Sequence, residues 1–259
     1  MRAKQSLGQN FLMHAATAER IVAASGVGER DTVLEIGPGT GLLTRALLQK
    51  ARRVIAVEAD QDLIPVLQAA FAPELTSGRL ELIAGDVRTF DPASIGEPYH
   101  LVANIPYYIT GELFRQFLTA THKPRSLTFL IQKEVAIRIA RSKKESLLSL
   151  AIKAYGTPRY QFTVPRGAFR PAPKVDSAVL SVQDVHDDAF PDHEAEEWFF
   201  KVLRAGFAHK RKLLMKNLEE VASRTALLAA FARAQIKEKA RAEDLSIETW
   251  RLLAQMLKN

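Results

Sequence analysis

The chain has 259 residues, enough for one large domain and a small second one. It contains no cysteine, which excludes disulfides and thiolate metal sites and fits a reducing compartment. Its 36 Lys and Arg outweigh 29 Asp and Glu, and the resulting charge of +7 favours polyanionic partners, RNA above all.

The first residues, "MRAKQSLGQNFL", are basic but lack the apolar run of a signal peptide. No segment approaches the ~20 apolar residues of a membrane span. A cytoplasmic protein is therefore expected, with no metal. A helix is expected over 16–25, and "NFL" before it reads as a hydrophobic staple.

From there to residue 132, short apolar runs alternate with segments of helical period. "TVLEIG" (32–37) precedes "LLTRALLQKA" (42–51), and "RVIAVE" (53–58) precedes "LIPVLQAAF" (63–71). "RLELIAGD" (79–86) and "HLVANIP" (100–106) follow, then a helix in "GELFRQFLTA" (111–120) and a strand in "SLTFLIQ" (126–132). This alternation predicts an α/β fold: a Rossmann-like, mostly parallel sheet whose strands end at a ligand-binding crevice. Two more strands are expected in "RYQFTV" (159–164) and "SAVLSV" (177–182).

At "QDVHDDAFPDHEAEE" (183–197) the composition turns acidic and polar, which reads as a linker. Beyond it three helices are expected, over 196–221, 225–236 and 246–257. The predicted organisation is an α/β domain over 1–185 and a small helical domain over 186–259.

The loop "EIGPGTG" (35–41) joins the first strand of the sheet to a helix, and its glycines let the backbone approach a ligand closely. Glu58 ends the next strand, near the spacing at which an acid meets a ribose hydroxyl pair. Asp86 ends the third, where it can accept from an adenine amine. The spacing departs from a dinucleotide fingerprint, since position 42 is Leu. Glu35 beside the loop also suits a pyrophosphate poorly. S-adenosylmethionine, with a ribose and a cationic centre but no phosphate, fits better. Glu58 and Asp86 could separately be solvated strand ends, but their joint placement favours the ligand. Asp60 and Asp62 read as caps of the next helix, with Pro65 in its first turn.

The fourth strand delivers "NIPYY" (104–108) to the same crevice. Asn104 offers a carbonyl acceptor, Pro106 removes a competing N–H from the turn, and Tyr107 offers a flat face. Such a set suits a planar base bearing an exocyclic amine. Two acceptors would draw the amine nitrogen out of conjugation and stabilise the positive charge that develops on it. Asn104, Pro106 and Tyr107 are therefore the expected catalytic residues of a methyl transfer to nitrogen. Taken alone, Asn-x-Pro would be only a strand-terminating turn.

In order along the chain, "GQNFL" (8–12), "EIGPGTG" (35–41), "VE" (57–58), "GD" (85–86), "NIPYYIT" (104–110), "LIQKEVAIRI" (130–139) and "FRPAPKVDSAV" (169–179) resemble the ribosomal RNA adenine dimethylases, most of all their small-subunit branch. The resemblance implies S-adenosylmethionine as cofactor. It implies dimethylation of two adjacent adenosines near the 3′ end of 16S rRNA, late in small-subunit assembly. It places Asn10, Leu12, Gly37, Glu58, Asp86 and Asn104 at the cofactor. Phe169 becomes either the second face that stacks on a flipped base or a loop aromatic buried against the sheet.

One stretch departs from the family pattern. Relatives often carry an aromatic–glycine pair before "LS", where this chain has "KKESLLSL" (143–150). In the helical tail, Lys210, Arg211 and Lys212 interrupt an amphipathic pattern and are expected to contact RNA phosphates; the alternative is a solvated helix face. A monomer is expected. The runner-up is a large-subunit rRNA adenine methylase of the macrolide-resistance type, which "PKVDSAV" and "FAHKRKLLMKNL" fit less well; the intact site motifs argue against a non-catalytic assembly factor, and the glycine spacing disfavours an NAD-dependent oxidoreductase.

Overall fold

Buried parallel strands need no polar face, and the middle of this sequence supplies such strands. The computed structural model describes residues 4, 8–186 and 188–258. The described residues form two compact units. The first takes those up to Ala136 together with Thr157–Val185, and the second takes Ile137–Gly156 and those from His186 onward.

The first unit begins with a two-residue strand, β1 (Phe11–Leu12), and a helix, α1 (Ala15–Ser25). Strands and helices then alternate: β2 (Thr32–Ile36), α2 (Leu42–Leu48), β3 (Arg53–Glu58), α3 (Ile64–Ala70), α4 (Ala72–Thr76), β4 (Leu80–Ala84), β5 (Tyr99–Asn104), α5 (Thr110–Leu118) and β6 (Ser126–Gln132). The helix α6 (Lys133–Ala140) follows, then α7 (Leu147–Lys153), β7 (Thr157–Val164), the short β8 (Phe169–Arg170) and β9 (Ser177–Gln183). Among the described residues, seven strands form one sheet in the order β4-β3-β2-β5-β6-β9-β7. The first five are parallel, and β9 runs antiparallel to both β6 and β7. A second pairing joins β1 to β8.

The order reverses between β2 and β5, and there the carboxyl ends of the strands open a crevice. Every residue of β2 is buried. Val33, Val54, Ala56, Val102 and Leu130 form one apolar cluster with Ile21 and Val22 of α1 and Leu43 and Leu47 of α2. That cluster fixes the sheet's rotation and hence which residues reach the crevice.

The second unit contains α8 (His193–Phe207), α9 (Leu214–Leu218), α10 (Arg224–Arg233) and α11 (Ile247–Leu257). Two expectations need correction here. The stretch 183–197 is only partly a linker, because Asp192 caps α8 by accepting from Ala195 N, and the helix begins at His193. The single helix expected over 196–221 is two helices separated by a turn at 208–213. Asn217 of α9 causes the break to hold: its Nδ2 donates to Gly206 O at 2.6 Å and to His209 O at 3.2 Å, taking up carbonyls at the end of α8. Gly206 permits the arrangement, since a Cβ there would stand 2.3 Å from the Trp250 ring.

The helical unit also claims residues 137–156, which the sequence assigns to the first domain. Tyr155 is 2% exposed, stacks on Phe200, meets Phe190 edge-on and donates to Glu196. Lys144 pairs with Glu243 and Asp244, and Arg251 donates to Ala154 O. The Tyr155 partner Glu196 lies 41 residues away and the Lys144 and Arg251 partners 97 to 100 away, and no local pattern announces them.

Candidate active site

Strand register sets the positions of the site residues. Ile36 pairs with Val57 on one side and Ala103 on the other, so Gly37, Glu58 and Asn104 stand in one row just beyond. Glu58 pairs with Ala84, which puts Gly85 and Asp86 one step further out. Gly37 N donates to Val57 O and Gly85 N to Glu58 O, both at 2.9 Å, so the row continues past the last regular pairs. The resulting pocket is lined by residues 36–40, 57–59, 85–88 and 104–109, and by the N-terminal segment 8–12.

The glycine loop turns through positive φ at Gly37 (65°), Gly39 (60°) and Gly41 (81°). At Gly41 packing requires it, because a Cβ would lie 2.4 Å from the Phe71 ring. At Gly37 no heavy atom lies within 4 Å of where a Cβ would stand. The loop therefore leaves an open cradle beside that backbone, as close approach of a ligand demands.

Glu58 is 5% exposed. Its Oε2 accepts from Gly39 N at 3.0 Å and its Oε1 from Asp60 N at 2.8 Å. Burial pushes its pKa up, and those backbone bonds oppose the shift. Each oxygen keeps a second lone pair for a ligand hydroxyl. Asp86 is half-exposed and forms a 2.5 Å ion pair with Arg88, whose backbone N–H it also accepts. The Arg88 side-chain hydrogen bond is the main cause that holds its carboxyl below the ordinary range.

Glu35 corrects the argument made from it. Its carboxyl is fully buried, it does not line the pocket, and neither oxygen has a hydrogen-bond partner among the described residues. The Thr44 hydroxyl is a polar neighbour but also lacks a bonded partner. Burial, with a smaller push from Glu58, raises its pKa to about 8. An acid that is neutral at pH 7 repels no pyrophosphate, so Glu35 does not discriminate between cofactors. The glycine spacing alone carries that discrimination.

Asp60 is a partial correction: its Oδ1 accepts from Asp62 N at 3.1 Å in the turn that leads into α3, but that is not its whole role. The residue capping α3 is Leu63, with no side-chain bond. Asp60 is 4% exposed and accepts from Lys4 Nζ at 2.5 Å and Gln9 Nε2 at 2.8 Å. Burial opposes the shift, but Lys4 and Gln9 hold its carboxyl below its ordinary pKa. It anchors the N-terminal segment beside the glycine loop.

That segment reaches the fourth strand as well. Asn104 Nδ2 donates to Asn10 O at 3.1 Å, while Asn10 Nδ2 donates to Gly8 O at 3.1 Å. With its amide N–H engaged, Asn104 presents Oδ1 as an acceptor. Leu12 is 6% exposed and pairs with Phe169 across β1 and β8. The Pro106 carbonyl accepts from Ile109 N at 3.3 Å and so belongs to the turn. The carbonyl with no donor among the described residues is that of Ile105. The free main-chain acceptor is therefore the Ile105 carbonyl, just before the proline that lacks an N–H. Tyr107 is half-buried in the pocket wall, and burial raises its pKa. Tyr108 is exposed beside it and packs near Gly8.

Phe169 is not brought to the pocket. It is 5% exposed and lies in the apolar cluster with Leu12, Val164 and Ala168. Pairing of β8 with β1 sets the Phe169 ring against Leu12, and burial in that core favours a large apolar ring. Lys210, Arg211 and Lys212 are exposed in the turn between α8 and α9 rather than on a helix face. The site residues that the sequence does not reveal are Asp60, Gln9 and Phe11, whose ring lies 3.0 Å from where a Cβ on Gly39 would stand.

Residues 1–259 match the family model for ribosomal RNA adenine dimethylase. The chain is 40% identical over 259 residues to a ribosomal RNA small subunit methyltransferase A of Dehalococcoides mccartyi, covering 98% of this chain and 88% of that one. A protein of the same description from Lactococcus lactis is 37% identical over 268 residues, covering 98% and 90%. Among solved structures, the 23S rRNA methyltransferase ErmE superposes with a TM-score of 0.79 at 27% identity, over 96% of this chain and all of that one. A dimethyladenosine transferase from Plasmodium falciparum shares the fold at a TM-score of 0.79 and 24% identity, over 94% and 95%. The chain is a methyltransferase with a Rossmann-like sheet and a helical C-terminal part, and it belongs to the ribosomal RNA adenine dimethylase family.

Proposed function

We propose that this protein dimethylates the exocyclic amines of two adjacent adenosines near the 3′ end of 16S rRNA, in the small subunit late in its assembly. The observation that carries the chemistry is the orientation of Asn104. Its N–H group is tied to Asn10 O, so its Oδ1 is the free acceptor at the pocket. The names carried by the 35–40% identical relatives support the choice of the small subunit.

The pocket fits S-adenosylmethionine. The open face at Gly37 would accept a ligand against the backbone, Glu58 would offer acceptors for ribose hydroxyls, and Asp86 in the pocket lining would accept from an adenine amine. When bound, the cofactor supplies the methyl group. Asn10 and Leu12 would cover it from the N-terminal segment. In the first transfer the Asn104 Oδ1 and the Ile105 carbonyl would accept the two amine hydrogens of the target base, in the second one of them would accept the single hydrogen left, and each transfer releases one amine proton to water. Holding both draws the nitrogen toward a tetrahedral form and localises its lone pair. The same two oxygens favour the positive charge that grows as the new bond forms. Preorganised groups of this kind are typically worth ~2.7–4 kcal/mol each. Tyr107 supplies a stacking face for the extruded base and offsets part of the few kcal/mol that extrusion costs.

The exposed Lys210, Arg211 and Lys212 would contact RNA phosphates, which gives affinity without reading sequence. The proposed setting is cytoplasmic, and the proposed working form is a monomer.

The test is product analysis. The protein is incubated with cofactor and small subunits that lack the modification, and the RNA is digested and analysed by mass. Dimethyladenosine at two adjacent 3′-terminal positions supports the reading. Unmodified small-subunit RNA, from a protein that still binds cofactor, overturns it.

A further inference from the structure

The sequence "FRPAPKVDS" serves above only to indicate the family; the structure gives its last residue a contact at the site. Ser177 opens β9 and is completely buried. Its Oγ lies 2.6 Å from the hydroxyl of Tyr107. The two residues are 70 apart in sequence, and the bond joins the first turn after β5 to the start of β9.

Both ends of this bond are fixed. Ser177 pairs with Gln132 at the end of β6 and with Val164 at the end of β7. Its neighbour Asp176 accepts from Lys133 N through its carbonyl, at 3.0 Å, and from Arg166 N through Oδ1, at 3.1 Å. Three segments therefore converge on the hydroxyl. At the other end, Thr110 Oγ1 donates to Tyr107 O at 2.9 Å and holds the backbone of the turn. The Tyr107 ring is anchored at its Cα and at its para position, while part of it lines the pocket.

A phenyl ring fixed at one end can rotate about its side-chain torsions. A ring tethered at its para oxygen as well cannot swing about χ1, so it stays in the pocket wall and a base can stack on it at less ordering cost. We propose that Ser177 is a positioning residue for base stacking: its hydroxyl holds the Tyr107 ring in place in the pocket wall and keeps it from swinging away about χ1. This rests on the reading of Tyr107 as the platform for the target adenine. It also explains why the platform is a tyrosine, since a phenylalanine would stack equally well but could not be tethered.

The test is a double-mutant cycle with Ser177→Ala, Tyr107→Phe and the pair, in the full-length protein on its RNA substrate. A single hydrogen bond of ~1 kcal/mol corresponds to roughly a five- to tenfold change. Each single variant should lower kcat by about that factor. The double variant should lose no more than either alone, because all three lack the same bond. KM for RNA, set mainly by phosphate contacts, and the affinity for S-adenosylmethionine should stay at parental values. Tyr107→Phe keeps the ring and guards against misfolding at the buried serine. Parental kcat in either single variant overturns the proposal. So do losses that multiply in the double variant, or a loss of cofactor affinity in Ser177→Ala. A parent that methylates large-subunit RNA instead would refute the small-subunit reading, and the cycle would run unchanged on that substrate.

Discussion

Replacing Glu35 with Gln should change the pH dependence of folding. The buried carboxyl titrates at about 8 in the fold against 4.5 in the unfolded chain. Between those values the folded protein holds a proton that the unfolded chain has released. Folding is then penalised as the pH rises. The stability is fully present below about pH 4.5 and is lost progressively until pH 8. At ~1.36 kcal/mol per unit, the loss by pH 7 is about 3 kcal/mol. Gln keeps the shape of the protonated acid but does not titrate. It also buries an unpaired amide, so absolute stabilities mix two effects, whereas the pH slope isolates one.

The assay must report on the right unit. Both tryptophans, Trp198 and Trp250, belong to the helical unit, so their fluorescence does not follow the sheet. Native-state hydrogen exchange of the β2 and β5 amides does. The stability of the parent relative to Glu35→Gln should fall by roughly 3.5 kcal/mol between pH 5 and pH 8. Curves that stay parallel over that range would mean that Glu35 is ionised in the fold, and the burial argument would fail.

Asn104→Ala should retain most cofactor affinity by calorimetry and lose about a hundred- to a thousandfold in kcat, the usual cost of one preorganised group; full turnover would remove the role of its Oδ1. Reversing the charges of Lys210, Arg211 and Lys212 to Glu should weaken RNA binding and flatten its dependence on salt. Unchanged binding at every salt concentration would make these residues an ordinary solvated turn.

The sequence showed the parallel part of the sheet clearly because its strands are buried on both faces. "TVLEI", "RVIAVE" and "SLTFLIQ" are apolar runs with little ambiguity of period. Once that row of strands is placed, Gly37, Glu58, Asp86 and Asn104 follow, since each stands at or just past a strand end. Contacts made across the fold were illegible. Asp60 makes the local bond to Asp62 N that its place before a helix suggests, but its bonds to Lys4 and Gln9 come from the N-terminal segment and leave no local sign. Asn217 breaks a helix that the hydrophobic period continues through, using carbonyls of residues 206 and 209. Phe169 beside a proline-rich loop gives no local sign of whether it faces core or crevice; pairing with Leu12 decides for the core. Glu35 gives the opposite lesson. Its charge was assumed from its residue type, and burial removes it.

The central claim is the identity of the methylated adenines. Unmodified small subunits and unmodified large-subunit RNA would be mixed in one reaction with labelled S-adenosylmethionine, then separated, digested and analysed by mass. The account predicts label only in adjacent dimethyladenosines near the 3′ end of the 16S rRNA. Label confined to the large-subunit RNA would contradict it and assign the protein to the macrolide-resistance type of methylase.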